Sequence, residues 1–465
     1  MATPHSEHWL RRPLVTSIGA VLAFCAGPAH ATVVLSCTDD GNADIANLRN
    51  SISNTGDGGT VDLSTLACSE IALHLGQIVI VQSALTLKGP GSGALAITGI
   101  YNGTQQHYRL FDHQGSGVLT LQDLTIRDGY LDAGGANANG GCIKSAGSVV
   151  LDHVAVTQCL ATSTGIGAGA LAQGGGIYAA SGLTLRNSVV SGNKAGLDMV
   201  PAFGGGVFVG SGTLKMYDST LSGNKAGTNG AYGYFGGGTV AGSILISGST
   251  ISGNIATSRV GGLSAGGPGS TATISNSTIS GNSAIAGLGG GALLINVLSV
   301  DIDHSTVAFN HAGSATGQFS AYAPGVAIYA PGSAQINVAL QSSLFSNNSF
   351  GPTSIQYDLS IETGAVLAGA NNLVHVTGSD VPPGTKLGTQ AAAMLGPLRD
   401  NGGPTLTHAL ASNSAAIDTG NNSGALPNDQ RGAPFARLSG AQVDIGAYEY
   451  DQNDIVFSAG FEGIP

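Results

Sequence analysis

Charge is the first thing this chain is short of. Aspartate, glutamate, lysine and arginine make up 9% of its 465 residues, against roughly 25% in ordinary domains. Low charge beside a hydrophobic share of 42% excludes a disordered chain, which needs the opposite balance. Helical periodicity is scarce as well. Nothing of helical length separates the short apolar runs in the middle of the sequence, which excludes alternating strand–helix units. No apolar run beyond the first 31 residues is long enough to span a membrane as a helix. The cysteines form no Cys-x-x-Cys pair and no Cys/His cluster at zinc spacing.

Glycine is what the chain has in excess: 74 residues, about twice the usual share. It recurs in a block, GGGIYAASGLTLRNSVVSGNKA from Gly174, with counterparts from Gly204, Gly236, Gly261 and Gly289. The matching asparagines are Asn193, Asn224, Asn254, Asn282 and Asn310, at steps of 31, 30, 28 and 28 residues. A period in this range means stacked units, each too small to bury its own apolar face. Aligned columns such as Leu183, Leu214, Ile244, Ala272 and Val300, with Leu185, Met216, Ile246, Ile274 and Ile302 two residues on, give the alternation of half-buried strands. A third column is Val190, Leu221, Ile251, Ile279 and Val307, so three short strands are expected per repeat.

The expected fold is therefore all-β: a right-handed single-stranded parallel β-helix, the hand following from the near-universal hand of parallel crossovers. Between the second and third strands falls a turn position held by Asp123, His153, Asn187, Asp218, Gly248, Asn276 and His304, residue types that tolerate left-handed backbone. The recurrent Ser-Gly-Asn corner suggests a ladder of stacked turn asparagines along the axis. The tracts KAGLDMVPAFGGG and KAGTNGAYGYFGGG read as longer corner loops carrying Met199, Phe203, Tyr232, Tyr234 and Phe235, a cluster able to grip a ligand or to pack over the stack.

Residues 1–31 read as a signal peptide, with Arg11 and Arg12 before an apolar stretch and Ala29-His30-Ala31 as the cleavage site. The chain is thus expected to be exported, to the extracellular space or to the bacterial surface and outer membrane. Removing this segment leaves 14 basic against 26 acidic residues, which disfavours nucleic acid or anionic membrane as a partner. Export makes disulfides plausible among Cys37, Cys68, Cys142 and Cys159. Cys142 and Cys159 fall at corners one circuit apart, about one strand spacing along the axis, which suits a disulfide. Cys37–Cys68 follows by elimination. The remaining divisions are 32–75 as an N-terminal cap with first strands, around a helix from Asp44 to Ser53, and 76–372 as β-helix repeats. Residues 373–450 form an irregular C-terminal cap wrapping the last coils, and 451–465 a short tail.

The glycine triplets of the repeat, Phe345-Ser346-Asn347-Asn348 and four C-terminal stretches, beginning at Asn401, Ala416, Asp429 and Asp444, together resemble exported bacterial β-helix proteins of the choice-of-anchor Q type, related to polymorphic outer membrane protein repeats. Gly-Gly-Gly followed by Ile177, Val207, Thr239 or Ala292, and Phe345-Ser346-Asn347-Asn348, resemble the two halves of the repeat motif. Asn401-Gly402-Gly403-Pro404-Thr405, Ala416-Ile417-Asp418-Thr419-Gly420, Asp429-Gln430-Arg431-Gly432 and Asp444-Ile445-Gly446-Ala447-Tyr448-Glu449 resemble the C-terminal signature. The favoured expectation is a secreted or surface-displayed scaffold, adhesin-like, that binds a polysaccharide or surface protein and is monomeric, as capped solenoids commonly are. The resemblance itself implies an exported or surface-displayed protein whose attachment device differs between members. It carries no catalytic residues and no cofactor.

The alternative is a polysaccharide lyase or glycosidase. Lyases of acidic sugars use calcium held by carboxylates beside a basic side chain. The sparse set available is Asp301 and Asp303 on one outward face, with Lys215 and Asp218 expected two coils earlier, and Asp152 near Lys144 in another coil. The Asn-Thr-Asp, Gly-His-Gly and Arg-Ile-Lys segments of polygalacturonase-like enzymes are absent. The binding scaffold is therefore the favoured expectation.

Overall fold

A computed structural model describes residues 31–39, 41, 46–100, 107–164, 169–197, 200–227, 233–285, 290–313, 323–332, 334–351, 355–388 and 392–452. The proposed signal peptide up to residue 30, Met199, Tyr232 and most of the tail lie outside the described residues. The chain is an all-β parallel solenoid in which nearly every strand pairs in parallel with its equivalent one circuit later. Leu183, for example, lies opposite Val149 on one side and Leu214 on the other.

A complete coil holds five strands rather than the three expected. In the coil that starts at Gly174, face 1 is Ile177–Ala179, face 2 is Gly182–Arg186 and face 3 is Val189–Ser191. Two further strands, Lys194–Ala195 and Ala202–Phe203, then run out from the corner and back. These outgoing and returning pieces stack into a nine-stranded and a four-stranded sheet. The two layers form a fin, packed through Ala172, Ala195, Val200, Ala202 and Ala226. Alanine suits this place because two backbone layers meet with almost no room between them. The tracts read as loops are thus partly a second, thin layer of sheet. Their two-residue strands are too short for any periodicity to register.

Faces 1 to 3 bury one continuous apolar core, with Ile177, Leu183, Leu185 and Val190 all fully enclosed. All seven residues at the turn between faces 2 and 3 are left-handed, from His304 at φ 42° to Gly248 at φ 61°. Gly248 has a second reason to be glycine: the Asp218 carboxylate occupies the space a Cβ would need.

Hydrogen bonds along the axis lock the register. The Asn193 amide donates to Asn224 Oδ1 at 3.0 Å, and the pattern repeats from Asn224 to Asn254, Asn282, Asn310 and Asn348. Each of these oxygens also accepts the backbone N–H of the preceding ladder residue, as Asn254 does from Asn224 at 3.0 Å. The last amide donates to the buried Asp358 carboxylate at 2.8 Å. A second ladder went unread in the sequence. Ser188, Ser219, Ser249, Ser277, Ser305 and Ser343 each accept, on the hydroxyl, an N–H from the coil before. Each hydroxyl donates to a carbonyl two residues back in its own coil. The disulfides are Cys142–Cys159, with 5.5 Å between Cα atoms, and Cys37–Cys68.

Helix α1 spans Leu48–Asn54, with Asn47 capping its first turn, and Asp44 and Ile45 lie outside the described residues. Strands pair from Ala31–Val33 through to Lys386–Leu387, so the stack exceeds 76–372 at both ends. Residues 392–452 pack beside the last coils, reaching Asn371 through Thr419 and Lys386 through Ala415. They fold back and forth as an apron over the flank of the last five coils. Thr405 Oγ1 donates to the Gly248 carbonyl, Thr250 Oγ1 to that of Leu406, Thr278 Oγ1 to Gln430, and the Ala447 N–H to Thr306 Oγ1. Face 3 is accordingly buried on both sides in Thr250–Ser252, Thr278–Ser280 and Thr306–Ala308, whereas Val189–Ser191 keeps an open outer side. Leu344 and Leu373 replace threonine in that outward row and join a second core with Ala409, Ala416, Ile445 and Tyr448.

An unpaired buried amide or its partner costs about 1–3 kcal/mol. Asn254→Ala, in mid-ladder, is therefore expected to lower the unfolding midpoint clearly, while Lys215→Ala on the outer side of face 2 leaves it unchanged. Denaturant unfolding followed by far-UV circular dichroism compares the two.

Candidate functional site

The acidic set does not converge. Lys215 pairs with Leu245, Leu245 with Thr273 and Thr273 with Asp301, so three strand steps separate them rather than two. That is roughly 14 Å. Partial desolvation, then the Asp303 charge, raises the Asp301 carboxyl above its usual range. Asp303 itself lies 2.6 Å from Nδ1 of the buried His304, beside the apron turn at Gly424. Lys144 reaches Asp112 at 3.0 Å instead of Asp152, which faces His153. Among the described residues no three His, Cys, Asp or Glu side chains gather as a metal site.

A different place collects side chains suited to ligand binding. Where the returning strand of the fin meets face 1, the chain turns through Gly140, Gly174 and Gly204, at φ 70°, 67° and 70°. A Cβ on Gly174 or Gly204 would strike the backbone of the strand that follows, so the two walls meet at a tight crease. Outward residues on face 1 run, coil by coil, Asp112, Lys144, Tyr178, Phe208, Thr239 and Ser264. On the fin the corresponding row runs Asn139, Gln173, Phe203 and Phe235, with Tyr234 at a register shift just before Phe235; Phe235 then bridges Val260, the chain neighbour of Arg259.

Five half-buried aromatic rings thus come from two successive coils, at three levels along the axis, onto both walls. Tyr178 and Phe208 stack at 5.4 Å with 3° between planes, and Phe203 and Tyr234 at 4.6 Å. The Arg259 guanidinium covers the far side of Tyr234, 5.3 Å from its centroid. Phe208 has Tyr178 against one face and only threonine at the next step along its row. Thr239 Oγ1 and Asn139 Oδ1 are buried there without a hydrogen-bond partner. At the Asn139 end, Arg109 donates to the Asn139 carbonyl and to Gln77.

Sequence reading found Phe203, Tyr234 and Phe235 but missed Tyr178 and Phe208. Their signal was available: both stand second after the glycine triplet, in GGGIY and GGGVF, at an outward strand position. A separate open cleft of about 810 Å³ lies at the end of the stack, lined by Tyr329, Ser360, Glu362, Thr363, Ser379 and Asp380. The Glu362 carboxylate there accepts the Ala330 N–H, a structural task.

The signature-like residues of the C-terminal segment are committed to the apron's interior. Arg431 is bonded to Asp429 at 2.8 Å and sandwiched between Phe435 and Tyr448, each 3.9 Å away. The fully buried Arg437 donates to the Gly446 carbonyl and to Asn276 of the coil below. Glu449 accepts the N–H groups of Ser439 and Asp444. Burial raises Glu449 to about 7 and Asp444 to about 6, and lowers His408 to about 4.

No family model and no curated protein matches this chain. Among solved structures it is similar to a crystal structure of the pectate lyase Pel9A, at 14% identity and a TM-score of 0.40, over 91% of this chain and 98% of that one.

The apron has a calculable pH response. Raised carboxyl values weaken docking as pH climbs from about 4 through 7, because the folded form holds protons that the free segment releases. His408 opposes this between about 4 and 6.5. Amide protection in 405–450, corrected for intrinsic exchange, is expected to be lower at pH 8 than at pH 6, and Glu449→Gln to flatten that difference.

Proposed function

We propose that the protein is an exported, non-catalytic scaffold that binds glycans in the crease between its fin and face 1. The observation that carries this reading is the five-ring cluster divided over both crease walls. A sugar presents an apolar ring face and a polar edge. Aromatic side chains meet the first, while the Gln173 side chain in the fin row is placed for the second. A parallel stack adds length, so a polymer running along the axis meets the same backbone frame at every coil.

The lyase alternative has less support, since its carboxylates and lysine lie three strand steps apart and Asp303 is engaged with His304. Export rests on the signal-like residues 1–31 together with two disulfides, which suit an oxidising compartment. Among the described residues no helix is long and apolar enough to cross a membrane. Membership of the choice-of-anchor Q group belongs to the same reading: the residues of its C-terminal signature here build the apron's core. Surface display as a monomeric adhesin is the setting we propose.

Purified chain from Thr32 onward, run in affinity electrophoresis through soluble polysaccharides, tests this. Retardation by at least one glycan is expected, with no new reducing ends or unsaturated products. Phe208→Ala is expected to weaken binding by about tenfold or more, as for a central aromatic contact. Cleavage of a polysaccharide would overturn the non-catalytic reading.

A further inference from the structure

The crease changes character along its length. Lys144 stands on face 1 one coil before Tyr178, and Arg259 follows Tyr234 and Phe235 on the fin wall. Between these two levels lie all five rings. Lys144 and Arg259 are thus four strand steps apart along the axis, roughly 19 Å. Arg109 adds a third cation beside Lys144, against one acid, Asp112, which both contact. Among these described residues, three groups along the crease are positive and one is negative, in a chain whose overall charge is −11. Neither cation at the crease ends is required by the stacking. The equivalent face 1 position is Tyr, Phe, Thr or Ser in the coils that follow, and Arg259 stands beside Val260, which the fin row reaches after Gln173, Phe203 and Phe235.

From this placement we infer that the ligand is a linear acidic polysaccharide lying parallel to the helix axis, its sugar rings against the aromatic centre and its anionic groups against Lys144 at one end and Arg259 at the other. The inference rests on the glycan-binding reading above and names the substrate class of the same crease. Carboxylate and sulfate share the chemistry that a lysine and an arginine recognise, and arginine can hold either through two parallel hydrogen bonds. A neutral glycan would meet the rings yet offer no anion to Arg259, which lies over Tyr234, or to Lys144, which is paired with Asp112. An acidic glycan too short to span both ends would gain from one cation alone.

One polymer backbone in three forms separates these terms: hydroxyethyl cellulose, carboxymethyl cellulose and cellulose sulfate, titrated against the mature chain at low and high salt. The acidic forms are expected to bind about tenfold more tightly than the neutral one at low salt, with the preference shrinking as salt screens the charges. Whichever acidic form binds better identifies the anionic group. Arg259→Gln and Lys144→Gln should each remove most of that preference while leaving the weaker neutral binding in place. Phe208→Ala should weaken every form. Equal binding of all three, unaffected by Arg259→Gln, would overturn the acidic class and leave the glycan reading standing. If no form binds and a wider neutral panel is also silent, the glycan reading itself fails. Far-UV circular dichroism of each variant confirms that the stack is intact.

Discussion

Everything in this molecule depends on one coil lying in register on the next, and backbone pairing alone does not choose that register. Parallel strands could slide by two residues and keep their inward side chains inward. The two polar ladders forbid it. A slip would strand buried amides and serine hydroxyls without partners, six asparagines and six serines along the axis. The amide ladder also has a direction. Its dipoles point head to tail, and the positive end meets the Asp358 carboxylate, much as an acidic residue complements the start of a helix.

The ladder corner also explains the fin. Asn193 fills the interior opposite Gly176, leaving a Cβ there only 3.0 Å from the amide carbon, so the coil is pinched shut at that point. Chain beyond the pinch cannot share the main core and folds on itself as a thin, alanine-lined pair of layers. The crease and its aromatic rings exist because that appendage leaves the body at an angle. The apron solves a different problem. It covers the outer side of face 3, where leucine has begun to replace threonine, and brings its own buried arginines and carboxylates as an interior.

Much of this was legible from spacing. The apolar columns, the left-handed turn position and the ladder asparagines all recur once per coil, so the period itself exposes them. Cys142 and Cys159 were readable as partners because they occupy corner columns one circuit apart. Other features left little trace. Fin strands two residues long carry no alternation. The serine ladder was in plain view after Asn187, Asp218 and Gly248, but serine in a turn has local uses that mask a long-range one. The crease depends on which residues face each other across a corner, and Phe203 and Phe208 belong to different repeats. Lys215 and Asp301 were misjudged through miscounting coils, an error of axial distance rather than of face.

The apron divides the stack into two regions with different evolutionary freedom. Upstream of Gly248 each coil answers only to its neighbours. A whole coil gained or lost there shifts the rest of the solenoid as a block. Downstream, Thr250, Thr278 and Thr306 must stand at fixed intervals to meet Leu406, Gln430 and Ala447. Duplication of a coil in that stretch would pull the covering segment off its contacts. Relatives of different length are therefore expected to vary in the number of coils before the covered region, while the covered coils and the segment across them keep a constant count.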